Sequence, residues 1–170
     1  MEWLHFVPGK PDQRIRNEVA IVPYERKYRD AFRELNEEWL NFYMEVEPED
    51  ARVLADPEGT ILADGGVIIL AVAEGRPVGS GALINEGNGK FELAKMAVTE
   101  SYRGRGIGQR IAERLITIAR SAGAREVELV SARLLPAATP LYRKLGFREI
   151  PLGENPYARA DIRMTLELTH

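Results

Sequence analysis

Three runs of β-forming residues stand between Val67 and Val98, parted by only two short turn-forming stretches, and this constrains the chain more than any other feature. Val67–Ala73 is almost wholly apolar and β-branched, the pattern of a buried strand. Gly75-Arg76-Pro77 turns the chain and Val78–Ile84 returns; Glu86-Gly87-Asn88-Gly89 turns it again and Phe91–Val98 follows. Strands joined this tightly pair antiparallel with their neighbours, because a parallel return needs a crossover of a dozen or more residues. The predicted nucleus is therefore a three-strand antiparallel meander.

The flanking segments dress that nucleus. Val19–Pro23 reads as a further strand. Glu25–Tyr43 reads as a helix, with Tyr28, Phe32, Leu35, Trp39 and Phe42 at helical spacing. Tyr28, Phe32, Trp39 and Phe42 are expected in the core. Pro48 opens a short helix to about Asp56, and Pro57-Glu58-Gly59 and Asp64-Gly65-Gly66 read as turns. Beyond the meander, Thr99–Gly108 is a Gly/Arg loop. A helix follows on the stripe Ile107, Ile111, Leu115 and Ile118, with Gly123 placed as its C-terminal cap. Val127–Val130, Phe147–Ile150 and Asp161–Leu168 read as strands, and Ala137–Leu145 as a short helix. The expected class is α/β, in α+β layout: a mixed, mostly antiparallel sheet flanked by about four helices, forming one domain over residues 19–170. Residues 1–18 read as an extension broken by Pro8-Gly9 and Pro11. Its Trp3 and Phe6 either dock on the domain or a second subunit, or belong to a loosely packed arm.

Composition removes several function classes. With 170 residues and 45% apolar content the chain can bury a single core. Its net charge of −3 argues against a nucleic-acid partner, which needs a concentrated basic face. There is no cysteine, and His5 and His170 stand at opposite ends, so neither a metal site nor a Ser/His or Cys nucleophile is expected. No apolar run resembles a secretory leader or spans a membrane, and the expected address is the cytoplasm.

The loop carries the chemistry. In Met96-Ala97-Val98-Thr99-Glu100-Ser101-Tyr102-Arg103-Gly104-Arg105-Gly106-Ile107-Gly108 a strand runs into a glycine-rich turn and the turn into a helix. A helix N-terminus presents unpaired N–H groups and the positive end of its dipole. Glycines let the backbone approach an anion, and Arg103 and Arg105 add mobile positive charge, so the segment reads as a pyrophosphate cradle. Gln109-Arg110 after Gly108 is not the Lys-Ser/Thr of a P-loop, and one residue between Gly106 and Gly108 is too few for a dinucleotide fingerprint. What is present is Arg-x-x-Gly-x-Gly. Taken alone, it also fits a basic helix cap in a plain α/β domain.

That hexapeptide, with Met96-Ala97-Val98 before it and Pro140-Leu141-Tyr142-Arg143-Lys144-Leu145-Gly146-Phe147 after it, resembles the GNAT family of N-acetyltransferases. The resemblance covers about residues 19–168. It implies acetyl-CoA as cofactor, with backbone groups of Met96, Ala97 and Val98 on the pantetheine arm and thioester. The amides of Arg103, Gly104, Arg105, Gly106, Ile107 and Gly108 would hold the pyrophosphate. It also implies that the strand ending at Val98 splays from Val127–Val130, that the arm lies in this gap, and that Tyr142 stands near the thioester sulfur. One departure is Leu135, where many members carry an asparagine seven residues before the tyrosine. The implied activity is acetyl transfer to an amine of a small molecule or protein, in a family where homodimers are common. A CoA-binding regulatory module, an enzyme using a longer acyl-CoA and a phosphate-binding interaction domain are the competing readings.

Amine acylation needs a neutral amine, a donor for the oxyanion and a donor for the leaving thiolate. An amine of pKa near ~10.4 is almost wholly protonated at pH 7, so a base or water chain is required. Glu92 is the candidate base: it lies six residues before Val98, which in a regular strand puts both side chains on one face, and histone-type members place a glutamate at this spacing. The competing reading is an exposed strand residue. Tyr142 is the candidate acid, the competing reading being an ordinary helix aromatic, and Lys144 either reaches a cofactor phosphate or is solvated. The resemblance puts the acceptor between about Phe42–Asp50 and Gly153–Ala160. There Glu45, Glu47, Glu49 and Asp50 either attract a cationic amine or form a solvated face. Tyr157 and Arg159 either meet an acceptor carboxylate or brace the loop.

Overall fold

The structure is a computed structural model and describes residues 18–169. Apart from Glu18, the expected N-terminal extension with Trp3 and Phe6 lies outside the described residues. The strands are β1 (Val19–Pro23), β2 (Val67–Ala73), β3 (Arg76–Gly87), β4 (Lys90–Val98), β5 (Glu126–Ser131), β6 (Arg148–Ile150) and β7 (Ile162–Glu167). The α-helices are α1 (Arg29–Tyr43), α2 (Pro48–Ala55), α3 (Ile107–Ser121) and α4 (Ala138–Lys144). One sheet runs β1-β2-β3-β4-β5-β7-β6, antiparallel at every junction except β4–β5.

The meander forms as its turns dictate. Glu74-Gly75 and Asn88-Gly89 all have positive φ, the hairpin form whose twist matches the flanking strands. Arg76 and Pro77 join the ladder opposite Ala73 and Val72, so the first turn is tighter than the sequence reading placed it. The stretch read as a turn at residues 57–59 instead opens a π-type turn over Glu58–Leu62, closed by Ala63 N–H donating to Glu58 O at 2.8 Å.

Two apolar layers cover the sheet. On one face α3 buries Ile107, Ile111, Ala112, Leu115, Ile116 and Ala119. It lies so close that a Cβ on Gly81 would come within 2.5 Å of Ile111 Cγ2, and glycine there sets the approach. On the other face Phe32 and Leu35 of α1 pack with Val53 and Leu54 of α2 over Ile68, Leu70 and Ala82. Each such side chain contributes roughly 1.5–3 kcal/mol when fully buried, which docks helices that would be marginal alone.

A bulge in β4 reorganises everything downstream. Ala94 pairs with Ala82 but Ala97 pairs with Ser80, and Lys95 takes a φ of 55°. Phe91 and Leu93 pack on the α3 side, whereas Ala97 lies in the cluster under α1. Buried contacts hold the bulge: Asn36 Nδ2 donates to Ser80 Oγ (3.1 Å), and Ser80 Oγ donates to Lys95 O (2.8 Å).

Candidate active site

The site begins where β4 and β5 part. Their parallel pairing covers Lys90↔Glu126, Phe91↔Val127 and Glu92↔Glu128 and then stops. The rest of β4 faces a groove, as the resemblance implies. Thr99 N–H donates back to Val78 O at 2.8 Å, so the N–H of the preceding residue, Val98, points the other way, into the gap.

The groove, about 310 Å³, runs from the Gly/Arg loop past Val98 and Met96 to Tyr142. At its outer end Gly104 (φ 77°) and Gly106 (φ 76°) turn successive amides toward one side, a conformation open to glycine and strained for other residues. Among the described residues, no acceptor receives a hydrogen bond from the N–H groups of residues 104–109. An uninterrupted run of free donors at the start of α3 is an anion cradle made of main chain. A Cβ at Gly104 or Gly106 would meet nothing within 4 Å, so the space beside these two residues is open.

The arginines of the motif serve differently from the sequence expectation of mobile positive charge. Arg103 N–H is consumed by Glu100 O (3.2 Å), so the free amides begin at Gly104. The Arg103 side chain turns toward the protein: Nε donates to Val98 O (2.9 Å), and the guanidinium lies 4.8 Å from the Phe42 ring, 4.9 Å from Trp39 and 5.4 Å from Tyr43. Arg105 stacks on Tyr102 and donates to Ser101 O. Glu38 of α1 accepts from Thr99 Oγ1 and from Glu100 N–H, pinning the loop to α1. Phe42, expected in the core, is 60% exposed; it closes the Arg103 stack because helix α1 ends there, past the edge of the apolar layer. Lys144 bonds Gln109 Oε1 (3.1 Å) beside the cradle.

Tyr142 stands at the inner end. It lines both the groove and an adjoining chamber of about 100 Å³. Its ring packs edge-on against Phe147 at 5.8 Å, and no group among the described residues hydrogen-bonds its hydroxyl. Burial pushes the phenol up to about 12, so it stays protonated throughout the physiological range. Leu135 lines the same two spaces.

The chamber continues into a pocket of about 70 Å³ lined by Glu92, Lys95, Tyr157 and Arg159. Glu92 therefore reaches the candidate acceptor region, but not on the face expected for it. The Lys95 bulge interrupts the alternation, so Glu92 and Val98 point to opposite sides of the sheet. Burial, reinforced by the nearby Glu86 carboxyl, holds Glu92 up at about 7.

The acidic cluster is not a free field for a cation. Asp50 is fully buried; it accepts from Lys95 Nζ (2.9 Å) and from both Arg159 terminal nitrogens (2.5 and 2.9 Å). Burial alone would raise its carboxyl, but Arg159 and Lys95 outweigh that and bring it down to about 2. Glu47 accepts from Ala158 N–H and Arg159, and with Asp50 caps α2. Glu49 pairs with Arg52. Tyr157 lies under both cations, with Arg159 4.5 Å and Lys95 5.3 Å from its ring. Of the two readings left open by the sequence, the structure favours bracing.

The comparisons with known proteins bear on the family and the fold. A model of the acetyltransferase (GNAT) family matches residues 28–147. The chain is 30% identical over 150 residues to an IAA acetyltransferase of Azospirillum brasilense, covering 87% of this chain and 96% of that protein. Its fold is similar to that of a GNAT-family acetyltransferase from Staphylococcus aureus, with a TM-score of 0.82 at 24% identity over 89% of this chain and 100% of the other. It is also similar to a GNAT-superfamily phosphinothricin acetyltransferase from Sinorhizobium meliloti, solved with acetyl-CoA, with a TM-score of 0.72 at 21% identity over 88% of each chain. By the family match and the full-length relative, this chain belongs to the acetyltransferase (GNAT) family.

Proposed function

We propose that the protein is an acetyl-CoA-dependent N-acetyltransferase acting on a primary amine by direct attack, with residues 19–170 as one catalytic domain. The observation that carries the reading is the run of free amides at residues 104–109, opening on a groove that leads to Tyr142 and the Glu92 pocket. The fit to the cofactor is physical: an anion cradle, then a strand edge released from pairing, then a buried phenol. The cofactor supplies an activated acetyl thioester. In this reading the amides of residues 104–108 hold the pyrophosphate, while the exposed edges of Met96, Ala97 and Val98 orient the arm. The Val98 N–H, directed into the gap, donates to the carbonyl oxygen as negative charge grows there. Glu92 takes the proton of the attacking amine, a task suited to a carboxyl held near 7.

Tyr142 stabilises the leaving sulfur by hydrogen bonding rather than by surrendering its proton. A phenol at about 12 facing a thiol near ~8.5 would lose roughly 5 kcal/mol on full transfer. The reading includes a cytoplasmic address; no helix among the described residues is long and apolar enough to cross a membrane.

The test is thiol release from acetyl-CoA with an arylalkylamine, a diamine and a peptide α-amine, each at several pH values. Amine-dependent release is expected with at least one of them. Tyr142→Phe should lower kcat by roughly 10- to 100-fold with the KM for acetyl-CoA nearly unchanged. Tight binding without release for any amine would make the protein a CoA-binding module, and unimpaired turnover in Tyr142→Phe would remove the assignment of that residue.

A further inference from the structure

We infer that Glu86 is a positioning residue for proton removal, its carboxylate sharing a proton with Glu92 and passing it to solvent. This rests on the reading of Glu92 as the base.

The geometry comes from the β3–β4 ladder. Glu92 stands opposite Ile84, and Glu86 lies two residues further along β3, the diagonal position that long side chains span. The ladder slips between Asn85 and Gly87, leaving Glu86 bulged out of the pairing. Its carboxyl is among the groups that raise that of Glu92. Both residues line an outer cavity of about 150 Å³, and Glu92 alone of the two also lines the acceptor pocket. Glu86 is exposed. Glu92 thus stands between two cavities, with the exposed carboxyl of Glu86 on the second.

The other charges around Glu92 are engaged elsewhere. From β4, Lys90 binds Glu128 and Lys95 binds Asp50; from β7, Arg163 binds Glu128; from the β6–β7 connection, Arg159 binds Asp50 and Glu47. Glu154 and Tyr157 complete the surroundings. Lys95 and Arg163 pull Glu92 down; burial and Glu86 push it up more strongly.

The proton balance is simple. As the amine lone pair forms the C–N bond, one proton leaves nitrogen for a Glu92 oxygen. The proton shared on the other side moves to Glu86 and from there to water. One proton crosses from pocket to solvent, and nothing is oxidised or reduced.

The test compares pH profiles of kcat/KM for wild type, Glu86→Gln and Glu92→Gln, using the best amine of the panel, with carboxyl carbon NMR titrations of wild type and Glu86→Gln. Removing the neighbouring negative charge makes ionised Glu92 easier to form. The acid limb in Glu86→Gln should therefore move to lower pH by about one unit or more. The Glu92 signal should move with it, the KM for acetyl-CoA should hold, and Glu86→Asp should restore part of the shift. If Glu92→Gln abolishes the limb while Glu86→Gln leaves it in place, the relay is wrong and the base reading stands. If Glu92→Gln leaves the profile untouched, the base reading falls and the relay with it. A Glu92 signal unmoved in Glu86→Gln overturns the pairing itself.

Discussion

The two ends of the site are built from different materials. The proposed cofactor end is main chain: consecutive amides from residues 104 to 109, exposed because glycines turn them outward and nothing among the described residues accepts from them. The proposed acceptor end is side chain: Asp50 and Glu47 from α2 and its cap, Lys95 from β4, Arg159 and Tyr157 from the β6–β7 connection, with each cation matched by an anion. One region keeps its hydrogen-bonding capacity for a ligand; the other satisfies its own. A surface that is open in the free protein tolerates change in the fold's terms and fails in binding terms. A closed network does the reverse.

Asp50→Ala tests that division most severely. It leaves Lys95 and Arg159 buried without their principal anion, and the expected loss of stability is about 3–5 kcal/mol, read by thermal or denaturant unfolding. Acetyl-CoA affinity of the folded fraction should change less than about threefold, so a stable variant with poor cofactor binding would break the comparison. The same network makes the fold acid-sensitive. A carboxyl lowered from 3.8 to about 2 contributes stability that is present above 3.8 and disappears as pH falls toward 2, about 2 kcal/mol in all.

Gly106→Glu should act in the opposite sense. Its side chain enters the open cradle with the wrong charge, from a φ that disfavours it. Affinity for CoA should fall about 100-fold, or ~2.7 kcal/mol by calorimetry, with the melting temperature little lowered. Unchanged affinity would remove the loop from the binding site.

Arg103→Gln carries the smallest expected effect and the sharpest information. Arg103 belongs to the cofactor motif by sequence and to the α1 aromatic stack by contact. Losing the Val98 bond and the ring contacts should cost about 1 kcal/mol of stability and weaken cofactor binding about three- to tenfold. A loss as large as that of Gly106→Glu would mean that the guanidinium touches the ligand directly.

Much of the fold was legible because local signals and long-range pairing agree: tight turns impose the meander, and Ile107, Ile111 and Leu115 share one buried stripe. The cradle was legible because its parts are contiguous. The acceptor end was not, because its partners are 45 and 109 residues apart and no local pattern announces them. The bulge was equally hidden: lysine has no special tolerance for positive φ, and only the buried Asn36–Ser80 contact and the Asp50 pair explain why Lys95 stands there. Missing the bulge put Glu92 on the wrong face of the sheet. Phe42 fitted the helical spacing yet fell outside the apolar layer.

The early parting of β4 and β5 gives the molecule two doorways. In the proposed reaction the thioester donor takes the groove that leads to Tyr142 and the amine takes the pocket that Glu92 lines. Neither visitor then has to leave before the other can come in. On that reading a chain with no cysteine to store the acetyl group needs no acetylated intermediate, because both partners wait in the same room.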